Sequence, residues 1–182
     1  MASRAPAPGD LRLVQEFENT ADLEQGTDQF GTPEGLADWL RGNGLLDEGA
    51  TLTGGDVERA VAVREAVRAL LFANNGADAD PGAVETLNRL ADGARLRVRF
   101  DLGGRAALVP ACDGVDAAIG RLLAAINAAM TDGTWARLKA CRDDGCQWAF
   151  YDHSKNRSGA WCSMASCGNR SKARSYRERQ AT

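Results

Sequence analysis

A mainly helical α+β domain with one small β-hairpin, followed by a short cysteine-held finger, is the architecture this sequence predicts. Three observations predict it. Apolar residues recur at helical spacing in several segments before residue 133. The period changes to two at one place, where Leu96, Val98 and Phe100 alternate with Arg95, Arg97, Arg99 and Asp101. Finally, four of the five cysteines form two C-x4-C pairs, Cys141/Cys146 and Cys162/Cys167, fifteen residues apart and followed at once by a basic segment.

Residues 1–10, rich in Ala and Pro, are expected to be disordered. The helical domain is expected over 11–133 and the finger over 134–182. Leu11 to Glu18 suits a short helix with Leu13, Val14 and Phe17 inward, ended by Asn19-Thr20; residues 21–31 read as polar loop. Thr32-Pro33 is a helix start, a capping hydroxyl before proline at the first helical position. Leu36, Trp39 and Leu40 form its stripe, Gly42 and Gly44 end it, and Leu45 and Leu46 plug the core. A longer helix is expected from about Gly54 to Asn74, carrying Val57, Val61, Val67, Leu70 and Leu71 at helical spacing. Asp80-Pro81 starts another, with Val84, Leu87 and Leu90 inward.

Gly103-Gly104 then turns the alternating strand back into Arg105 to Pro110, making the hairpin. Asp113 caps the most apolar helix, through about Thr131, with Val115, Ile119, Leu122, Leu123, Ile126 and Met130; it is the expected core element. Thr131-Asp132-Gly133 marks the boundary. Cys112 reads as a small buried residue, with a reactive thiol as the alternative.

Four thiolates from two short loops can close a tetrahedral site around one Zn2+, with Gly145 placed where the first loop must turn. Buried or disulfide-bonded cysteines are the alternative. A strand leading into Cys141, a return strand from Gln147 to Tyr151 and a helix starting at the second pair make a treble-clef-like layout. Such a site has no open coordination position, so its role is structural. His153 is the sole histidine, and no phosphate loop, dinucleotide fingerprint or nucleophile elbow occurs, which argues against an enzyme.

The net charge of −3 hides an asymmetry. Residues 137–182 hold ten Lys/Arg against four Asp/Glu, and the preceding part twelve against twenty-one. A basic module on an acidic body implies a polyanionic partner met on one face. Arg170, Arg174 and Arg177 align on one face of the last helix, Lys172 and Arg179 on another, and Lys155, Asn156 and Arg157 lie in the loop between the cysteine pairs. Guanidinium groups suit phosphates and guanine edges, and asparagine suits adenine. A soluble charged tail is the bland alternative. No apolar run reaches the roughly 18 residues needed to span a bilayer, and no secretory stretch opens the chain, so a cytoplasmic protein without a membrane role is expected.

The run from Trp161 to Arg174, W-C-S-M-A-S-C-G-N-R-S-K-A-R, resembles the CGNR zinc finger, and the match extends upstream through Cys141, Cys146, Phe150, Tyr151, Ser154, Lys155 and Asn156. Phe17, Asn19 and Thr20, with the T-P-x-x-L-x-x-W-L run from Thr32 to Leu40, resemble the ABATE domain that precedes this finger in bacterial proteins taken to be stress-induced transcription regulators. The resemblance implies zinc in the finger and double-stranded DNA as its partner. It also implies that the N-terminal domain senses a small ligand or partner, for which Asn19, Trp39, Arg64 and Arg68 are the candidate residues. Local readings stand beside these: a side-chain cap for Asn19 and an ion-paired face for the two arginines. His153 departs from the hydroxyl residue of the family pattern. A zinc-held thiol switch and an RNA-binding module are the alternative functions, and one small finger reading DNA implies a homodimer or a second contact from the first domain.

Overall fold

The computed structural model describes residues 5–180. Within them α1 (Leu11–Glu18), α2 (Pro33–Gly42), α3 (Gly54–Asn74), α4 (Pro81–Ala94) and α5 (Gly114–Asp132) build the body, and α6 (Asn169–Gln180) ends the finger. Three two-stranded antiparallel sheets punctuate the helices: β1 (Ala21–Asp22) with β2 (Thr27–Asp28), β3 (Arg97–Phe100) with β4 (Ala106–Val109), and β5 (Leu138–Ala140) with β6 (Ala149–Tyr151).

The helix starts follow their capping chemistry. Thr32 Oγ1 accepts from Gly35 N at 3.2 Å ahead of Pro33. Thr53 and Asp56 form a reciprocal capping box on α3, and Asp80 Oδ1 accepts from Gly82 N at 2.9 Å. Asp113 is the residue before α5, yet its carboxylate makes no capping bond. As expected, α5 is the core element: Val115, Ile119, Leu122 and Ile126 are buried, and the helix packs on α1, α3, α4 and β4. Val63, absent from the expected stripe of α3, lies deepest in it together with Leu71.

Several expectations need correction. Residues 21–31 contain the small β1–β2 hairpin, register Ala21–Asp28 and Asp22–Thr27, because the Asp22 carboxylate takes up the amides of Glu24 and Gln25 in its turn. Within the N-terminal stretch expected to be disordered, Ala7 packs against the body. Ala7 is buried, and its amide donates to Gln15 Oε1 at 2.7 Å; residues 1–4 fall outside the described range. Val84 and Met130 point outward, with Ala83 and Ala129 taking the inner positions. The β3–β4 hairpin forms in the expected place, but Val98 and Phe100 are exposed, since no layer of the described residues covers that face.

The hydrophobic core is continuous across residue 133. Trp135, Leu138, Ala140, Ala149 and Tyr151 belong to the cluster that holds Val14, Phe17, Leu71 and Ile126. The first strands of the finger are thus packed into the helical body. A second, smaller cluster collects Cys141, Cys146, Phe150, Cys162 and Cys167, flanked by Trp148 and Trp161.

Candidate metal centre and nucleic-acid interface

The β5–β6 register sets the first cysteine pair. Cys141 leaves β5 with its amide on Trp148 O at 3.0 Å. Asp143 then closes the loop: its carbonyl accepts from Cys146 N at 2.8 Å and Gln147 N at 3.0 Å, and its carboxylate accepts from Gly145 N at 3.2 Å. Gly145 is not the sharp turn that the sequence implies. The left-handed residue is Gln147, φ 51°, because Asp143 already folds the preceding amides inward. The second pair brackets a π-helical turn, Met164–Gly168, which Ser163 caps by accepting from Ser166 N at 3.3 Å. A Cβ on Gly168 would stand 2.8 Å from the Met164 side chain and 3.3 Å from Trp161, so this glycine lets the turn close against both.

These two loops bring Cys141, Cys146, Cys162 and Cys167 together, all buried, with their sulfurs within 4.8 Å of one another. Cys146 and Cys162 are 3.5 Å apart and Cys162 and Cys167 3.6 Å. A tetrahedral Zn2+ with bonds of about 2.3 Å needs sulfurs about 3.8 Å apart. The donor set therefore fits a four-thiolate metal ion, and zinc is consistent with it. The electrostatics agree. Hydrogen bonds from Cys146 and Cys162 hold the Cys141 thiol well below its usual range, and a first thiolate there pushes Cys146 and Cys162 up. Four anionic sulfurs at this spacing repel unless a divalent cation lies among them.

Around the sulfurs, buried polar side chains fix the framework. Lys139, on β5, donates to Asp152 Oδ2 at 3.0 Å and to the carbonyls of Arg157 and Gly159 at 2.6 and 3.1 Å. Burial alone would raise the Asp152 carboxyl; hydrogen bonds from Ser154, Lys139 and Gly159 outweigh it and leave the group well below the carboxylate range. This pair anchors the loop that presents Lys155, Asn156 and Arg157, all exposed.

The helix α6 has no buried residue. Lys172, Arg177 and Arg179 are exposed and form no ion pair among the described residues, as do Lys155 and Arg157. Arg174 donates to Asp144 Oδ2 at 3.2 Å. Arg170 is bound on three sides, by Asp143 Oδ2 (2.9 Å), by the Cys167 sulfur (3.1 Å) and by Glu24 of the β1–β2 hairpin. Arg170, Arg174 and Arg177 thus share a helical spacing but not an electrostatic state. Tyr176 is exposed, whereas Tyr151 is in the core and Trp161 flanks the cysteines.

The family model for ABATE, described as "Putative stress-induced transcription regulator", matches residues 11–145. The chain belongs to the ABATE family. A second model, the CGNR zinc finger, matches residues 137–180 and overlaps the first across β5 and Cys141. No curated protein matches the chain.

In the ABATE region the four candidate ligand residues all have protein partners. Arg64 makes a bidentate pair with Asp28 at 2.7 and 2.6 Å, adds Thr20 and Glu65, and lies over the Phe30 ring. Arg68 donates to Glu65, to Glu18 O at 2.9 Å and to Gln147 O at 3.1 Å. Trp39 packs on Phe17 and Phe30. Asn19 spans Ala149, accepting its amide at 2.8 Å and donating to its carbonyl at 2.9 Å. The ion-paired reading of the arginines holds, and Asn19 caps a strand of the finger instead of its own helix. None of the four lines the large groove of the ABATE domain. That groove, about 1410 Å³, runs between β4, α5 and the 44–50 loop and is walled by Leu13, Leu45, Leu46, Leu108 and Val109. Cys112 also lines it, its thiol donating to Ala94 O at 3.3 Å.

Glu18 escaped the sequence reading. It is fully buried with neither carboxylate oxygen hydrogen-bonded, and Arg68 Nη2 is 3.9 Å away. Burial raises its carboxyl well above the usual range, against the opposing pull of Arg68. Its place at the end of an amphipathic helix gave no signal. Asp143 had one, since an aspartate two residues after a cysteine and two before glycine is a common loop-former.

Proposed function

We propose that this chain is a transcription regulator that binds double-stranded DNA through the exposed basic surface of α6 and the 155–157 loop. The observation carrying the reading is that five cations, Lys155, Arg157, Lys172, Arg177 and Arg179, stand exposed and form no ion pair among the described residues, on a module framed by the four-cysteine cluster, while the rest of the chain is acidic. Unpaired cations are available to phosphate without first breaking an internal ion pair. Asn156, exposed in the same loop, is the candidate for an adenine edge. Arg170 and Arg174 must give up acidic partners before they can touch a phosphate or base, so they are weaker candidates than their spacing implies.

The test is duplex binding by the full metal-loaded chain across a salt series. With about four or five phosphate contacts, log K falls against log salt with a slope of roughly −4. Lys172→Gln should flatten that slope by about one unit for all sequences alike. A chain that binds no duplex at low salt overturns the reading, and a preference for RNA at equal salt turns it toward the RNA-binding alternative. The thiol-switch alternative is disfavoured by the burial of all four clustered sulfurs.

The N-terminal domain, in this reading, takes its ligand or partner in the groove beside α5. The groove is larger than the 300–1,000 Å³ typical of small-molecule sites, so a partner segment, such as one from a second copy, suits it better than a metabolite. Neither matching family is an enzyme family, and no helix of the described residues is long and apolar enough to cross a membrane.

A further inference from the structure

The arginine of the C-G-N-R tetrapeptide does something other than wait for a nucleic acid. Its guanidinium joins three segments distant in sequence. Nη2 donates to the Cys167 sulfur at 3.1 Å, Nε to Asp143 Oδ2 at 2.9 Å, and Nη1 to Glu24 Oε1. Asp143 is itself buried and holds the first metal loop through the amides of Gly145, Cys146 and Gln147. Glu24 belongs to the β1–β2 hairpin of the N-terminal domain, whose other end, Asp28, clamps the buried Arg64. One side chain therefore ties a metal ligand, the opposite metal loop and the N-terminal domain together. Only a guanidinium offers three divergent donors in one plane; a lysine ammonium at the same place is a point charge on a flexible stem. Four thiolates around a divalent cation carry a net charge of −2, and a cation donating to one of the sulfurs offsets part of it, while its own charge is balanced by the two carboxylates.

We propose that Arg170 is a positioning residue of the metal centre, and that Glu24 makes the retention of the metal depend on the N-terminal domain. This rests on reading the four-cysteine cluster as a metal site and is independent of any DNA contact. Partners that orient metal ligands in this way typically change metal retention by 10- to 100-fold when removed. The Glu24 contact is part-exposed, and a single charge pair of that kind is worth a factor of about two to five.

The experiment uses the full chain loaded with zinc, timing transfer of the metal to a chromogenic chelator, and the cobalt-loaded chain, reading its sulfur-to-metal charge-transfer band. Arg170→Gln should release zinc about 10- to 100-fold faster and move the cobalt band. Arg170→Lys should fall between it and wild type, and Glu24→Gln should release about two- to fivefold faster with unchanged helical circular dichroism. Arg174→Gln, which removes a contact to Asp144 and none to sulfur, should match wild type in both readouts. Wild-type release and an unmoved band in Arg170→Gln overturn the positioning role. Wild-type release in Glu24→Gln overturns the link to the N-terminal domain. Should Arg170→Gln fail to fold, Arg170→Lys and Glu24→Gln decide the matter. No nucleic acid enters the assay, so its failure leaves the DNA reading standing, and a failed DNA reading leaves these rates unmoved.

Discussion

Two hairpins of nearly equal length stand at opposite ends of the burial scale in this molecule. β3–β4 has the alternating pattern of a half-buried sheet, Arg97-Val98-Arg99-Phe100, yet all four residues of β3 are exposed, and Leu102 at its turn is fully so. β5–β6, with Lys139 at its centre, is buried at all six positions. The difference lies in what surrounds them. Asn19 pairs with Ala149 as an added strand would. Asn74 Nδ2 donates to the carbonyls of Trp135 and Leu138, and Asn75 Nδ2 to those of Ala140 and Ala160. Arg68 donates to the Gln147 carbonyl, Arg142 reaches back from the finger to the Asn75 carbonyl, and the cysteine loops hold both strand ends. A buried hairpin must have every backbone polar group met; here side chains of the helical body meet them. Among the described residues no side chain bonds to β3 in this way, and its apolar side chains remain on the surface despite the favourable pattern.

The contrast can be broken at five places. The largest effect is expected from Cys162→Ser, since binding of a structural metal contributes on the order of 10 kcal/mol of folding energy in small modules. Because β5–β6 shares the core of the body, the helical signal should melt at a lower temperature together with loss of the metal. Elemental analysis with thermal melting checks this, and a body that melts as in wild type would show the core to be divisible. Leu138→Ala should cost about 2–5 kcal/mol by leaving a cavity in the shared core, read from denaturant midpoints. Asn19→Ala should cost about 1–3 kcal/mol, as it strands the amide and carbonyl of Ala149; proteolysis should then reach β6 first.

Glu18 supplies a test by pH. Its native carboxyl is raised above its unfolded value by burial, so the stability it permits is whole below the unfolded range and is lost as pH rises through the raised value. Glu18→Gln should therefore gain on wild type between pH 4 and pH 8, and equal shifts at both ends would remove the argument. The smallest effect belongs to the other hairpin. Phe100→Ser should change stability by no more than about 0.5 kcal/mol, and a larger loss would mean that something covers β3 in solution, which sedimentation of wild type and variant would identify as a second copy or not.

Much of the finger was legible in the chain. Two cysteine pairs at fixed spacing, a basic segment after the second and the wording from Trp161 to Arg174 suffice to name the metal ligands, because a tetrahedral thiolate site constrains spacing locally. The helix starts at Thr32-Pro33 and Asp80-Pro81 were legible for the same reason: a cap acts within four residues. Illegible were the partners of the arginines. Arg64 and Arg68 look like an anion-binding pair one turn apart, and Arg170, Arg174 and Arg177 like one uniform face, until Asp28, Asp143 and Glu24 are brought beside them from elsewhere in the chain.

By itself, then, the sequence determined the local chemistry of this protein: where helices begin, where the chain alternates, and which four cysteines cluster. Tertiary structure alone decided which hairpin is buried, that the core passes through residue 133 without a break, and that Arg170 is held by the metal loops and the N-terminal domain. The physical reason is range. Caps, turns and ligand spacing are set within a few residues, whereas desolvation and ion pairing depend on neighbours that only the folded chain assembles.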